Sequence, residues 1–188
     1  MKAFFGFLFL LIFNLTASAT DYYISPSGSD GNSGSSGSPW RTLAYAASQS
    51  SSGDLIHVTA GTYVESSRVN LPAGVSIIGA GNSSIIQSNY SVGSDLDDAI
   101  LRLYSSSLNT TGQSISYLMI DGQNWTSLRA IATTDRNNVE ISNCTIQNFN
   151  NAAITVNSSS GDGAFVSGLS IHDCVINDDC SVAPGGQD

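Results

Sequence analysis

The sequence predicts an all-β solenoid, a parallel β-helix, from two patterns that return in phase. The first is a six-residue motif seen in Ile115-Ser-Tyr-Leu-Met-Ile120, Ile141-Ser-Asn-Cys-Thr-Ile146 and Ile171-His-Asp-Cys-Val-Ile176. An aliphatic residue stands at the first and sixth positions, and Leu, Cys and Cys at the fourth. The residues between (Ser142 and Asn143, His172 and Asp173) cannot both point inward, so the chain must turn a corner there between two short strands. The motifs begin at 115, 141 and 171, 26 and then 30 residues apart, a spacing that suits solenoid repeats. The second pattern is a ladder in which Leu101 and Leu103, Ile131 and Thr133, Ile154 and Val156, and then Val182 alternate with outward Arg102, Ala132 and Thr155. That is the period-two signature of half-buried strands. Each coil then holds about three short strands, and only stacking at ~4.8 Å buries its inward residues and pairs its backbone. A β-sandwich would explain the Ser, Gly and Asn turns but not the in-phase return.

Residues 1–19 read as a signal peptide. Lys2 is followed by the apolar run Phe4 to Phe13 and by Ala17-Ser-Ala19, a charged start, an apolar middle and a small-residue cleavage site. The run is short for a bilayer of ~30 Å. The expectation is a secreted or periplasmic product with no membrane attachment after cleavage.

Residues 20–52 supply a first strand at Tyr22-Tyr-Ile24, a Ser/Gly loop and a helix from Pro39 to Ala47. Trp40, Leu43, Ala44 and Ala47 fall on one helical face, with Pro39 in the first turn and Ser38 as its cap. This helix would cover the open end of the first coil, whose bare edge otherwise invites association. Residues 53–188 are then the coils. The last one, from Ser181, stops at Pro184-Gly-Gly-Gln-Asp188 without a cap, which predicts a fragment of a longer protein, a monomer when full length.

Fifteen acids face six basic residues in the 188-residue chain, a net charge of −9, and Lys2 is the only lysine. Nucleic acid is excluded as a partner, since it needs clustered Lys and Arg. Apolar residues are too plentiful and too periodic for disorder. Cys144 and Cys174 take equivalent positions in successive coils and read as stacked inward thiols; a disulfide, between them or with Cys180, and a metal site are the lesser readings. Sequons at Asn82, Asn89, Asn109, Asn124, Asn143 and Asn157 reflect the composition of the turns, with Asn143 protected at its corner.

The order Tyr22-Tyr-Ile-Ser-Pro-Ser-Gly-Ser-Asp30, Pro39-Trp-Arg-Thr-Leu43, Gly53-Asp-Leu-Ile-His-Val58 and Ala60-Gly-Thr-Tyr63 resembles the start of secreted right-handed β-helix proteins of the pectate lyase-like superfamily. The resemblance covers nearly the whole chain after residue 19 and is carried by residues that cap and turn the solenoid. It implies a right-handed single-stranded parallel β-helix with a short N-terminal capping helix, and a carbohydrate enzyme as the leading class, most often a lyase, hydrolase or epimerase.

A lyase cleaving a uronate polymer by β-elimination needs a base to take the proton beside the carboxylate and a cation to hold the developing charge. In related lyases the base is a Lys or an Arg, and calcium often supplies the cation. Arg102 projects outward from one strand and Arg129 and Arg136 flank its equivalent in the next coil. These three are the candidates for binding an acidic polysaccharide, with Arg102 or Arg129 as base. Asp135, with Asp97 and Asp98, is the candidate for calcium. The bland reading pairs these arginines with those aspartates as surface charges. A glycoside hydrolase is the alternative, because Asn177-Asp-Asp-Cys180 resembles a polygalacturonase motif; Asn157 stands where that family has a further Asp, and its Gly-His-Gly would fall beyond Asp188. A non-catalytic carbohydrate-binding or adhesion module is the third reading, favoured by the untitratable outward positions Ala132 and Thr155. Neither His57, set outward between Ile56 and Val58, nor His172, at a corner, has a nucleophile at a recognisable spacing.

Overall fold

A computed structural model of the chain describes residues 18–90, 98–123, 129–149, 152–158, 166–177 and 182–184. The region read as a signal peptide lies almost wholly outside the described residues, as do Asp97, Asn124, Asp178, Asp179, Cys180 and residues 185–188.

The described chain is mostly β with one short helix. Strand β1 (Asp21–Ile24) and helix α1 (Leu43–Gln49) come first. Five rungs follow: β2 (Leu55–Val58), β3 (Gly61–Glu65) and β4 (Val69–Asn70); β5 (Ser76–Ser88) and β6 (Ala99–Asn109); β7 (Gln113–Asp121) and β8 (Arg129–Arg136); β9 (Val139–Ser142), β10 (Thr145–Gln147) and β11 (Ile154–Asn157); and β12 (Ser170–His172), β13 (Val175–Ile176) and β14 (Val182–Pro184). Each strand pairs in parallel with its counterpart in the next rung. The outcome is a solenoid-like stack of parallel strands in two sheets, with no closed barrel.

Register explains why these residues stack. Ile56, Ile77, Ile115, Ile141 and Ile171 form one inward column. Tyr63, Ile86, Ile120, Ile146 and Ile176 form a second, and Val69, Leu101, Ile131 and Ile154 a third, with Val182 next in backbone register. The Ile and Leu members from Ile56 to Ile154 are fully buried, and Ile171 and Ile176 of the last described rung are partly buried. Like side chains over like fill the interior at every rung, which a single rung could not do alone. Leu118, Cys144 and Cys174 continue the pattern at the corner, and Cys144 and Cys174 are free thiols. Burial pushes the Cys144 thiol up to about 11, so it packs as a small apolar group.

The corner expected between the paired motif strands is a backbone feature. Tyr117, Asn143 and Asp173, at equivalent positions, have φ of 55°, 54° and 54°. A second corner was not foreseen: Gly53, Gly74, Asn138 and Gly168, each three residues before an inward isoleucine, have φ of 99°, 76°, 55° and 70°. A left-handed residue reverses the chain where one sheet ends and the next rung begins, and Gly or Asn adopts it at least expense.

The helix differs from expectation at its start. It begins at Leu43, and Thr42, not Ser38, is the N-cap, its Oγ1 accepting from the Tyr45 N–H at 3.2 Å. Pro39 and Trp40 precede it because Trp40 is held elsewhere: it bridges to Ile24, stacks on Tyr22 at 4.7 Å and donates Nε1–H to the Asn32 carbonyl at 2.8 Å. Glu65, buried in β3, accepts from the Leu43 and Ala44 N–H groups at 2.8 and 3.2 Å. Leu43, Ala46 and Ala47 face the core, while Ala44 is only partly buried. Among the described residues no helix is long and apolar enough to cross a membrane.

Candidate functional site

The outward column of the five-stranded sheet runs Asn70, Arg102, Ala132 and Thr155, with Arg102, Ala132 and Thr155 placed as the alternation predicts. Ala132 and Thr155 are nonetheless almost fully buried, so the exposed part of this face lies at the Asn70–Arg102 end. There a depression of 290 Å³ is lined by Asn70, Leu71, Pro72, Arg102, Tyr104 and Arg136. Two of the three predicted arginines meet in it.

Arg102 and Tyr104 sit two residues apart on one strand and so share its outer face. The Arg102 guanidinium carbon stands 4.2 Å from the centre of the Tyr104 ring, and Tyr104 is 41% exposed. After Tyr104 the register slips: Tyr104 faces Thr134, whereas Asn109 faces Arg136. Residues 105–108 stand against Asp135 alone, a surplus of three on this strand.

Arg136 reaches the same place from beneath. It is 3% exposed. Its Nη1 donates to Gln113 Oε1 at 2.8 Å, and its Nη2 donates to the carbonyls of Tyr104 at 2.7 Å and Leu71 at 3.2 Å. The side chain thus ties together three successive rungs. All three acceptors are neutral, and Nε is buried without a partner among the described residues. Burial lowers its pKa below the ordinary arginine value.

Arg129 is not part of this cluster. It is buried at the far end of β8, opposite Ala99, and its N–H donates to the Asp98 carbonyl at 3.1 Å. Asp98 is itself ion-paired with Arg68. Asp135 is fully buried with a φ of 55°, and Ser158 Oγ donates to it at 3.2 Å. Among the described residues no group of three or more His, Cys, Asp or Glu side chains could hold a metal ion; Asp97, named with Asp98 and Asp135 for calcium, lies outside them. Of the hydrolase motif only Asn177 is described. His57 faces outward and stacks on Tyr23 at 4.5 Å, and His172 lies between Asp173 and Glu140.

Sequence reasoning missed Asn70, Leu71, Pro72, Tyr104 and Gln113. Tyr104 carried a usable signal, the same period-two phase as Arg102. Asn70 did not, because a two-residue strand shows no alternation.

A family model described as "Protein of unknown function (DUF1565)" matches residues 26–180. The chain belongs to the DUF1565 family. No curated protein matches it. Among solved structures, this DUF1565 chain is similar to a rhamnogalacturonan lyase at 15% identity and a TM-score of 0.55, over 84% of this chain and 51% of that one. It is also similar to Geobacillus virus E2 ORF18 at 14% identity and a TM-score of 0.48, over 65% of this chain and 28% of that one. The chain thus spans about half the length of the lyase and less of the viral protein. The family match and the likeness to the lyase support a β-helix; they do not single out the pectate lyase-like superfamily.

Proposed function

We propose that this DUF1565 chain is a right-handed parallel β-helix from an exported protein that acts on an acidic, uronate-containing polysaccharide. The observation that carries the reading is the depression itself. A buried guanidinium with only neutral partners lies under a half-exposed arginine and an exposed tyrosine ring. A uronate residue offers a carboxylate for the cations and a ring face for the tyrosine, while Asn70 supplies an amide for a hydroxyl. The similar rhamnogalacturonan lyase makes β-elimination the reaction class we assign to the full protein. Arginine can fill the cation's part in that reaction by holding the developing charge beside the carboxylate, and Arg102 is the candidate base.

A non-catalytic carbohydrate-binding module is the second reading. It is favoured by the absence of His, Asp, Glu and Lys from the residues lining the depression. The hydrolase reading would need two carboxylates flanking the bond, and the depression offers none.

The test is binding of polygalacturonate and alginate, with a neutral polysaccharide as control, to the wild type and to Arg102→Ala. Selective binding of the acidic polymers, weakened about fivefold or more in the variant, is the expected result. Unchanged binding removes the assignment of the depression. Unsaturated product released by the wild type and not by Arg102→Ala separates the lyase from the module.

A further inference from the structure

The structure assigns to Gln113, a buried residue outside the depression, the role of specificity determinant: being an amide, it keeps the charge of Arg136 uncompensated and available to an anion. This rests on the reading of the depression as an anion site and names the residue that makes it one.

Gln113 opens β7 and is 5% exposed. Its N–H donates to the Asn138 carbonyl at 3.1 Å and its Nε2 to the Val75 carbonyl at 3.1 Å, leaving Oε1 to accept from Arg136 Nη1. Donor and acceptor ends of the amide are therefore both used, and they set its orientation. A buried guanidinium ordinarily sits against a carboxylate, because its desolvation is otherwise expensive. Here the acceptors are one side-chain amide and two backbone carbonyls, which solvate the cation as dipoles but cancel none of its charge. The depression lies on the other side of that cation, so its field acts there with little water between.

A glutamate at position 113 replaces the side-chain NH2 by an oxygen and so loses the bond to the Val75 carbonyl. It would still accept from Nη1 but would neutralise Arg136. The same change would improve the cation's own surroundings and remove its pull on a bound anion. The new ion pair offsets the lost donor, so affinity should fall without a matching fall in stability, which the loss of a mere packing residue would not produce.

The experiment compares full-chain wild type, Gln113→Glu and Gln113→Met for thermal unfolding, and for affinity toward polygalacturonate across a series of salt concentrations. Sodium sulfate serves as a second probe, read by its protection against unfolding. For Gln113→Glu we expect a Tm above that of Gln113→Met, affinity reduced about fivefold, and a salt slope flatter by about one released counterion. Gln113→Met should keep the salt slope while losing Tm, since it removes an acceptor without adding a charge. Wild-type affinity and salt slope in Gln113→Glu overturn the inference, as does a fall in affinity that merely parallels a fall in Tm. Should polygalacturonate fail to bind while sulfate protects the wild type and not Gln113→Glu, the sugar reading fails and the role of Gln113 stands. If neither anion acts on the wild type, both fail.

Discussion

Glu65 holds the helix to the stack, and its replacement tests how the first rung is closed. Of the N–H groups in the first turn of α1, those of Leu43 and Ala44 go to the Glu65 carboxylate and that of Tyr45 to Thr42 Oγ1, before the first helical bond from Ala46 N–H to the Thr42 carbonyl. Glu65→Ala would orphan two donors, each worth ~1–3 kcal/mol when buried and unsatisfied. Against this, burial raises the Glu65 pKa, its largest influence, although the hydrogen bonds from Leu43 and Ala44 lower it; removing a desolvated carboxylate therefore returns part of the loss. The net destabilisation should be about 2–4 kcal/mol, a fall in Tm of roughly 5–15 °C for a domain of this size. Glu65→Gln keeps one acceptor and should lose only ~1 kcal/mol. The sign with pH follows from the raised pKa. The folded state holds this proton more tightly, so the group's contribution is fully present below its unfolded value of ~4.3 and is lost as pH rises through the higher folded value. Glu65→Gln should flatten that part of the stability profile. Urea and thermal unfolding across pH measure both effects. A Glu65→Ala protein within ~0.5 kcal/mol of wild type would refute the argument, because that is the range of an ordinary surface change.

Two further predictions concern the corners and the last described rung. Tyr117 is 46% exposed and left-handed, a conformation that disfavours a bulky L-residue by ~1–2 kcal/mol; Tyr117→Asn, matching Asn143 one rung on, should raise stability by ~0.5–1 kcal/mol, and a lower urea midpoint would sink the idea. The exposed His172 has its pKa raised above the ordinary value, chiefly by its hydrogen bond with Asp173 at 2.8 Å and also by Glu140 at 3.4 Å. Its contribution to stability is therefore present below the unfolded pKa of ~6.5 and disappears as pH rises through the folded one. An NMR titration of the ring reads this directly, and a His172 midpoint at or below that of a model peptide would contradict it.

The inward columns were legible because each depends on one residue type returning in phase. Ile115, Ile141 and Ile171 align as their motifs imply, as do Leu101, Ile131, Ile154 and Val182, and Cys144 stacks with Cys174. The two earliest rungs were harder to read since their spacing departs from the later ones: Ile56 to Ile77 is 21 residues and Ile77 to Ile115 is 38. The helix cap was misplaced for a related reason. Ser38-Pro39 is a good local start signal, but Trp40 is drawn into pairing with Ile24 and the cap moves on to Thr42. A long-range contact overrode a local preference.

The site was legible only in the part that local alternation reaches. Arg102 faces outward because Leu101 and Leu103 face inward, and that requires nothing beyond the strand. Arg136 has no such guarantee: it ends its strand at a corner, beyond the register slip after Tyr104, where periodicity no longer says which way a side chain points. Its surroundings come from Leu71, Tyr104 and Gln113, which lie 65, 32 and 23 residues earlier in the chain. Charge counting in the sequence suggested that the aspartates would neutralise the arginines. Asp98 pairs with Arg68, an arginine outside that reading, and among the described residues Arg136 is held by one amide and two carbonyls. In a chain with a net charge of −9, a guanidinium with no carboxylate partner among the described residues, set beside an opening, is the observation on which the proposal of an acidic-sugar site rests.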